Sequence, residues 1–206
     1  MKKLIPLSLV LLVISFVSCS KDEPDNGESN QERIERILAE QAPVLKKFAE
    51  EHIPGAELDT ETGIWYKIQQ AGTDGSVDYN LSKTNVGLIV APPYAEVKYK
   101  GQLIDEAGTV FDETEEDKTA VINLNQVILA WTAAFWPTEL EYNLDIYKLG
   151  GVTEKGLQKG AIIEFVAPSP YCYDNRTSAK IPADSPLHFT IEVVDVRNTQ
   201  KVEEDK

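Results

Sequence analysis

Residues Ala95-Glu96-Val97-Lys98-Tyr99-Lys100 alternate apolar and polar side chains with a period of two, and this pattern limits the fold more than any other. Successive side chains of an extended strand point to opposite faces, so such alternation marks a strand with one face buried. Gly101-Gln102-Leu103-Ile104 continues the run, Asp105-Glu106-Ala107-Gly108 reads as a turn, and Thr109-Val110-Phe111 resumes a strand. The same alternation returns near the C-terminus through Leu187, Phe189, Ile191, Val193 and on to Val196. Residues 63–68, 121–124 and 161–166 are further strand candidates, and residues 72–85 read as a turn-rich connection. Residues 126–135 have helical character, with Val127, Ile128, Trp131 and Phe135 on overlapping faces. The sum predicts an α+β domain, a curled antiparallel β-sheet wrapped on a central helix.

A helical extension is expected ahead of this domain, over residues 31–59. Ser29-Asn30-Gln31-Glu32 has the form of a capping box, with serine followed three residues later by glutamate. Ile34, Ile37, Leu38, Leu45, Phe48 and Ala49 then recur at helical spacing. Pro43 falls inside this pattern, where it either kinks the helix or opens a second one, and Pro54-Gly55 ends it. The apolar stripe is expected to pack on the main domain; a dimer interface is the alternative.

The chain starts with Met1-Lys2-Lys3, an almost wholly apolar stretch over residues 4–17, then Ser18 and Cys19. The apolar run is too short to favour a membrane-spanning helix and has the length and flanks of a signal peptide. Cys19 after a small residue resembles a bacterial lipobox, with Phe16 where leucine is usual. The expectation is removal of residues 1–18 and acylation of Cys19, which leaves the protein anchored to a membrane but not spanning it. Residues 19–30 then form a flexible tether. Ser20-Lys21-Asp22-Glu23 resembles the export signal of surface lipoproteins of the Bacteroidetes, though a solvated tether needs the same residue types. The location implied is the cell envelope, as an outer-membrane lipoprotein facing the periplasm or the cell surface. Residues 198–206 are an acidic tail.

The 206 residues suit one medium domain with extensions, or two small domains. With 34 acidic against 20 basic residues, the formal charge of −14 argues against nucleic acid as a partner, because phosphate binding needs basic patches. Once Cys19 is acylated, Cys172 has no cysteine to pair with. His52 and His188 stand far apart in the sequence, so neither a metal nor another cofactor is expected.

The order of these elements, with particular residues in them, resembles the FKBP family of peptidyl-prolyl isomerases over residues 60–197. The family strand Val-x-Tyr-x-Gly-x-Leu stands here as Val97-Lys98-Tyr99-Lys100-Gly101-Gln102-Leu103, followed by Gly108 and then Phe111-Asp112. Val-Ile-x-Gly-Trp becomes Val127-Ile128-Leu129-Ala130-Trp131. The loop Pro-Ser-x-x-Ala-Tyr-Gly becomes Pro168-Ser169-Pro170-Tyr171-Cys172-Tyr173-Asp174. Ile181-Pro182 and Leu187-His188-Phe189-Thr190-Ile191-Glu192-Val193 complete the pattern. Gly63-Ile64-Trp65-Tyr66 looks like the strand preceding the domain in many secreted bacterial members.

The resemblance implies isomerisation of Xaa-Pro bonds in proline-containing exported polypeptides. Trp131 would floor the proline pocket, with Tyr99, Phe111 and Tyr173 around it. Asp112 would meet the carbonyl of the residue before proline, and Tyr173 and the Ile128 backbone would hold bound peptide. Ile122, with Val121 as the alternative to it, Val127, Ile128 and Phe189 would complete the substrate-binding wall. Taken alone, Phe111, Val127 and Phe189 read first as core residues, since large apolar groups are usually inside. Three departures from the family pattern stand out: Ala130 and Asp174 replace glycines, and a long segment, residues 136–157, follows the helix. That segment is expected to be a lid or partner-binding surface, with core covering as the plain alternative. A second reading of the whole chain is therefore a catalytically weak lipoprotein of the same fold that binds proline-containing peptides or a protein partner.

Overall fold

The computed structural model describes residues 28–85 and 87–200. The expected signal peptide, Cys19, residues 19–27 of the tether and residues 201–206 of the acidic tail lie outside the described residues. Among the described residues, no helix is long and apolar enough to cross a membrane.

The chain runs α1 (Asn30–His52), β1 (Glu57–Leu58), β2 (Trp65–Gln70), β3 (Asn80–Thr84), β4 (Gly87–Ala91), β5 (Tyr94–Leu103), β6 (Val110–Glu113), β7 (Ala120–Asn123), α2 (Leu129–Phe135), β8 (Glu139–Tyr142), β9 (Asp145–Lys148), β10 (Ile162–Ala167), a 3-10 turn (Ser169–Tyr171) and β11 (Leu187–Arg197). Seven strands form one antiparallel sheet in the order β1-β2-β10-β11-β5-β6, with β7 also on β5. The long β5 serves both outer strands: Tyr94 to Val97 pair with β7, and Lys100 to Gln102 pair with β6. The sheet has free edges and does not close.

The alternation of β5 and β11 sends Ala95, Val97, Phe189, Ile191 and Val193 into the core. From α2, Ala130, Trp131, Ala133, Ala134 and Phe135 join the same core, and Phe135 is fully buried. Truncating a buried aromatic of this kind costs about 3–5 kcal/mol, so α2 is held by what it buries and not by its short length. The helix is shorter than expected: it begins at Leu129, and Ile128 caps it in extended conformation with no side-chain cap. Val127 and Ile128 therefore stand on the entry to the helix.

The capping box at α1 is present, with Glu32 N–H donating to Ser29 Oγ (3.2 Å) and Ser29 N–H donating to Glu32 Oε2 (2.8 Å). Pro43 starts no second helix, because α1 continues through it. Pro43 is exposed, while Ile37, Leu45 and Ala49 are buried on the other side. Leu45, Ala49 and Ile53 pack with Val166 of β10, and Phe48, Trp65 and Ile104 surround them. The stripe thus packs on the chain's own sheet. The end of the expected extension is corrected by β1, which adds Glu57–Leu58 to the sheet.

The connection expected over residues 72–85 contains β3, paired with β4 in a hairpin. Residues 136–157 contain a second hairpin, β8 with β9, which lies against β3. Its base covers core through Leu140, Tyr142 and Leu149, and its tip leaves Leu144 91% exposed.

Candidate functional site

The strands β5, β6, β7 and β11, the entry to α2 and the loop after β10 surround a cavity of about 310 Å³. Its walls are Tyr99, Phe111, Asp112, Ile122, Gln126, Val127, Ile128, Trp131, Tyr173 and Phe189. All nine residues expected from the sequence to form the site meet here. Val121, weighed beside Ile122, is not among the walls. Gln126 is an addition; a polar residue in the short turn before α2 carries no periodic signal that would single it out.

The wall is built as a chain of edge-on aromatic rings. Tyr99 meets Trp131 at 5.2 Å, Trp131 meets Phe189 at 5.9 Å, and Phe189 meets Phe111 at 5.7 Å, each near perpendicular. Such contacts place the positive edge of one ring on the negative face of the next. Phe165 stacks on Phe189 from the core side at 5.3 Å. Trp131 is only 6% exposed, so it offers the cavity a small part of its surface.

Two local features of the sheet place these groups. Gly101 is paired with Asp112 and Gln102 with Val110, leaving Phe111 as the extra residue of a bulge. The bulge breaks the alternation, so the neighbours Phe111 and Asp112 both face the cavity. Gly101 provides the room: a Cβ there would lie 2.5 Å from Cζ of Phe111 and 3.0 Å from Cε1 of Phe189.

The polar side of the cavity centres on Asp112. The Tyr99 hydroxyl donates to Asp112 Oδ2 at 2.7 Å. Burial, then the hydrogen bond to Asp112 and the carboxylate charge, push the Tyr99 phenol well above the usual tyrosine range. Burial and the nearby Asp112 charge also raise Tyr173. Both phenols are therefore protonated donors at neutral pH. The Tyr173 hydroxyl makes no hydrogen bond among the described residues, and the residue is 38% exposed. The Ile128 carbonyl is taken by the amides of Trp131 (3.0 Å) and Thr132 (3.2 Å).

The loop that carries Tyr173 is tied down at several points. Lys180 Nζ donates to the Phe111 carbonyl (2.8 Å), and Arg33 of α1 donates to both oxygens of Asp174 (2.8 and 2.6 Å). Asp174 has φ 54°, in the left-handed region where glycine is easiest and aspartate is tolerated. Residues 136–157 contribute nothing to the walls, so the segment is not a lid over this cavity. Among the described residues no cluster of His, Cys, Asp and Glu could hold a metal ion. Cys172 is buried, and burial pushes its thiol up, which makes it a poor nucleophile.

This arrangement can enclose a small apolar ring, present a carboxylate and two phenols at its rim, and exclude much water.

No family model matches the chain. Over 155 residues the chain is 29% identical to the FKBP-type peptidyl-prolyl cis-trans isomerase FkpA of Buchnera aphidicola subsp. Schizaphis graminum, covering 75% of this chain and 48% of that protein. Over 156 residues it is 30% identical to a probable FKBP-type peptidyl-prolyl cis-trans isomerase of Haemophilus influenzae, covering 73% of this chain and 50% of that protein. The chain thus spans about half the length of these curated relatives. The crystal structure of FkpA from Escherichia coli superposes with a TM-score of 0.51 at 24% identity, over 81% of this chain and 64% of that one. The fold is FKBP-like.

Proposed function

From the FKBP-like fold, and from sequence relatives that support the FKBP-type isomerase family, we propose that this chain is a peptidyl-prolyl cis-trans isomerase working in the Trp131 cavity. The observation that carries the reading is the joining of an aromatic enclosure to one hydrogen-bonded carboxylate: Trp131, Phe189 and Phe111 on one side, Asp112 with Tyr99 on the other.

The reaction needs no covalent step. Its barrier is the partial double bond of the amide, about 18–20 kcal/mol. Twisting the bond removes resonance, and with it the charge separation between carbonyl oxygen and nitrogen. Aromatic and aliphatic walls that displace water favour the less polar twisted state over the planar one. The proline ring sits against Trp131. Asp112 faces the carbonyl of the preceding residue, where it disfavours the oxygen's planar-state negative charge. Tyr173 donates to the peptide backbone and the Ile128 backbone aids it, while Ile122 and Val127 close the apolar wall.

The clients are proline-containing exported polypeptides, and the enzyme reaches them from a membrane surface through a lipid on Cys19. The basic start, apolar run and cysteine of residues 1–19 support this part. Residues 136–157 stay off the cavity walls, which supports this reading over that of a weak peptide binder.

Binding tests the reading first. A short Xaa-Pro peptide titrated into isotope-labelled protein should shift the resonances of Tyr99, Asp112, Trp131 and Tyr173 together. Shifts confined to other surfaces would place the proline elsewhere and end the proposal.

A further inference from the structure

We propose that α1 is part of the cleft's machinery: Arg33 and Gln41 are positioning residues that hold the Tyr173 loop in its peptide-accepting geometry. The inference rests on the isomerase reading for what the loop does, but its structural basis is separate.

The loop between β10 and β11 leaves the sheet at Ser169, which is fully buried. Gln41 meets it there with both ends of its amide. Gln41 Nε2 donates to Ser169 Oγ (2.9 Å) and to the Asp184 carbonyl (2.8 Å), while the Ser169 amide donates to Gln41 Oε1 (2.8 Å). One side chain of α1 thus fixes both feet of the loop, 15 residues apart in sequence from Ser169 to Asp184. Two turns earlier on α1, Arg33 grips Asp174, the residue after Tyr173. Its other guanidinium nitrogen lies 3.7 Å from Asp184 Oδ1. The Asp184 amide donates to the Asp174 carbonyl (2.9 Å), so the two acidic residues are themselves linked.

The Arg33–Asp174 pair is largely shielded, with side-chain exposures of 20% and 28%. Nη2 of Arg33 reaches both Asp174 oxygens while Nη1 faces Asp184, so one rigid, planar guanidinium addresses two points of the loop. An aspartate at φ 54° is less easy for the backbone than glycine. Its carboxylate gives the loop an anchor that glycine cannot supply. The helix itself is secured independently, by Leu45, Ala49 and Ile53 against Val166. Removing the Arg33 fork therefore frees the loop without releasing α1.

The test uses Arg33→Ala, Arg33→Lys and Asp174→Gly in the otherwise intact chain. Amide hydrogen exchange of residues 172–181 reads the loop, and kcat and KM for an Xaa-Pro peptide read the cleft. Positioning predicts faster loop exchange and a KM about tenfold higher in Arg33→Ala and Asp174→Gly, with kcat within about twofold, as for loss of one charged hydrogen bond at the low end of its range. Arg33→Lys should recover part of the loss. Asp174→Gly is the sharper variant, because glycine suits the backbone and thermal stability should hold. Wild-type loop exchange and KM in both Arg33→Ala and Asp174→Gly would overturn the inference. Should the wild-type chain prove inactive, the isomerase reading falls, and loop exchange alone then decides whether Arg33 orders the loop.

Discussion

The Tyr99 hydroxyl reaches from β5 to Asp112 on β6 and donates a 2.7 Å hydrogen bond at the wall of the cavity. Asp112 is paired in register with Gly101, so Tyr99 is its diagonal neighbour, a distance an aromatic side chain spans. The bond aims the carboxylate that the proposed reaction uses. Tyr99→Phe keeps the ring edge on Trp131 and removes the donor. The expected cost is about 1 kcal/mol, a loss of about fivefold in kcat/KM, with a smaller change in stability. In a double-mutant cycle with Asp112→Ala, the two losses should fall short of additivity by about the same amount. Additive losses would show that the two groups act apart.

Gly101 is where packing and site meet. A methyl group there would press into Phe111 and through it against Phe189. Gly101→Ala is expected to destabilise the fold by about 1–3 kcal/mol through overpacking, and to weaken peptide binding as Phe111 shifts. Urea unfolding and a peptide titration check the two parts separately.

The raised phenols give a pH signature. The unfolded chain loses tyrosine protons near pH 10, whereas Tyr99 in the native state holds its proton to a higher value. Above that ordinary value the native state binds more protons, so the contribution to stability is complete below about pH 10 and falls as pH rises toward the native value. Unfolding free energy measured across pH 9–11 should fall less steeply in Tyr99→Phe than in the wild type. Parallel slopes would mean that Tyr99 titrates normally. Activity, needing no proton transfer, should stay level while Tyr99 remains protonated.

The β8–β9 hairpin should be separable from the site. Its turn places Asn143 and Leu144 at φ 53° and 70°, and a leucine in the left-handed region is strained by about 1–2 kcal/mol. Leu144→Gly is expected to raise thermal stability slightly and leave isomerase activity unchanged. A fall in activity would tie the hairpin to the cleft after all.

Much of the site was legible in the chain because its residues sit in periodic or closely spaced runs. Strand alternation puts Tyr99 and Phe189 on a buried face, while the resemblance to FKBP motifs is what implies that they form a site with Phe111, Asp112 and Trp131. Other features leave no local trace. The β8–β9 turn uses Asn143-Leu144 in place of the Asn-Gly pair that usually announces a hairpin. The polar residues before β3 look like any loop. Arg33 and Asp174 are 141 positions apart, and nothing in the sequence around either one points to the other. The bulge at Phe111 is equally silent, although it decides that Phe111 and Asp112 share a cavity. Where Asp174 departs from the FKBP pattern, Arg33 of α1 pairs with its carboxylate.

Catalysis of prolyl exchange is what decides whether the Trp131 cavity is an active site. The chain from Ser20 onward is added in catalytic amount to a Xaa-Pro peptide, and cis–trans exchange is followed by magnetisation transfer. Exchange well above the uncatalysed rate is expected, with a large loss of that acceleration in Asp112→Ala. Exchange at the uncatalysed rate with folded wild-type protein would contradict the isomerase reading.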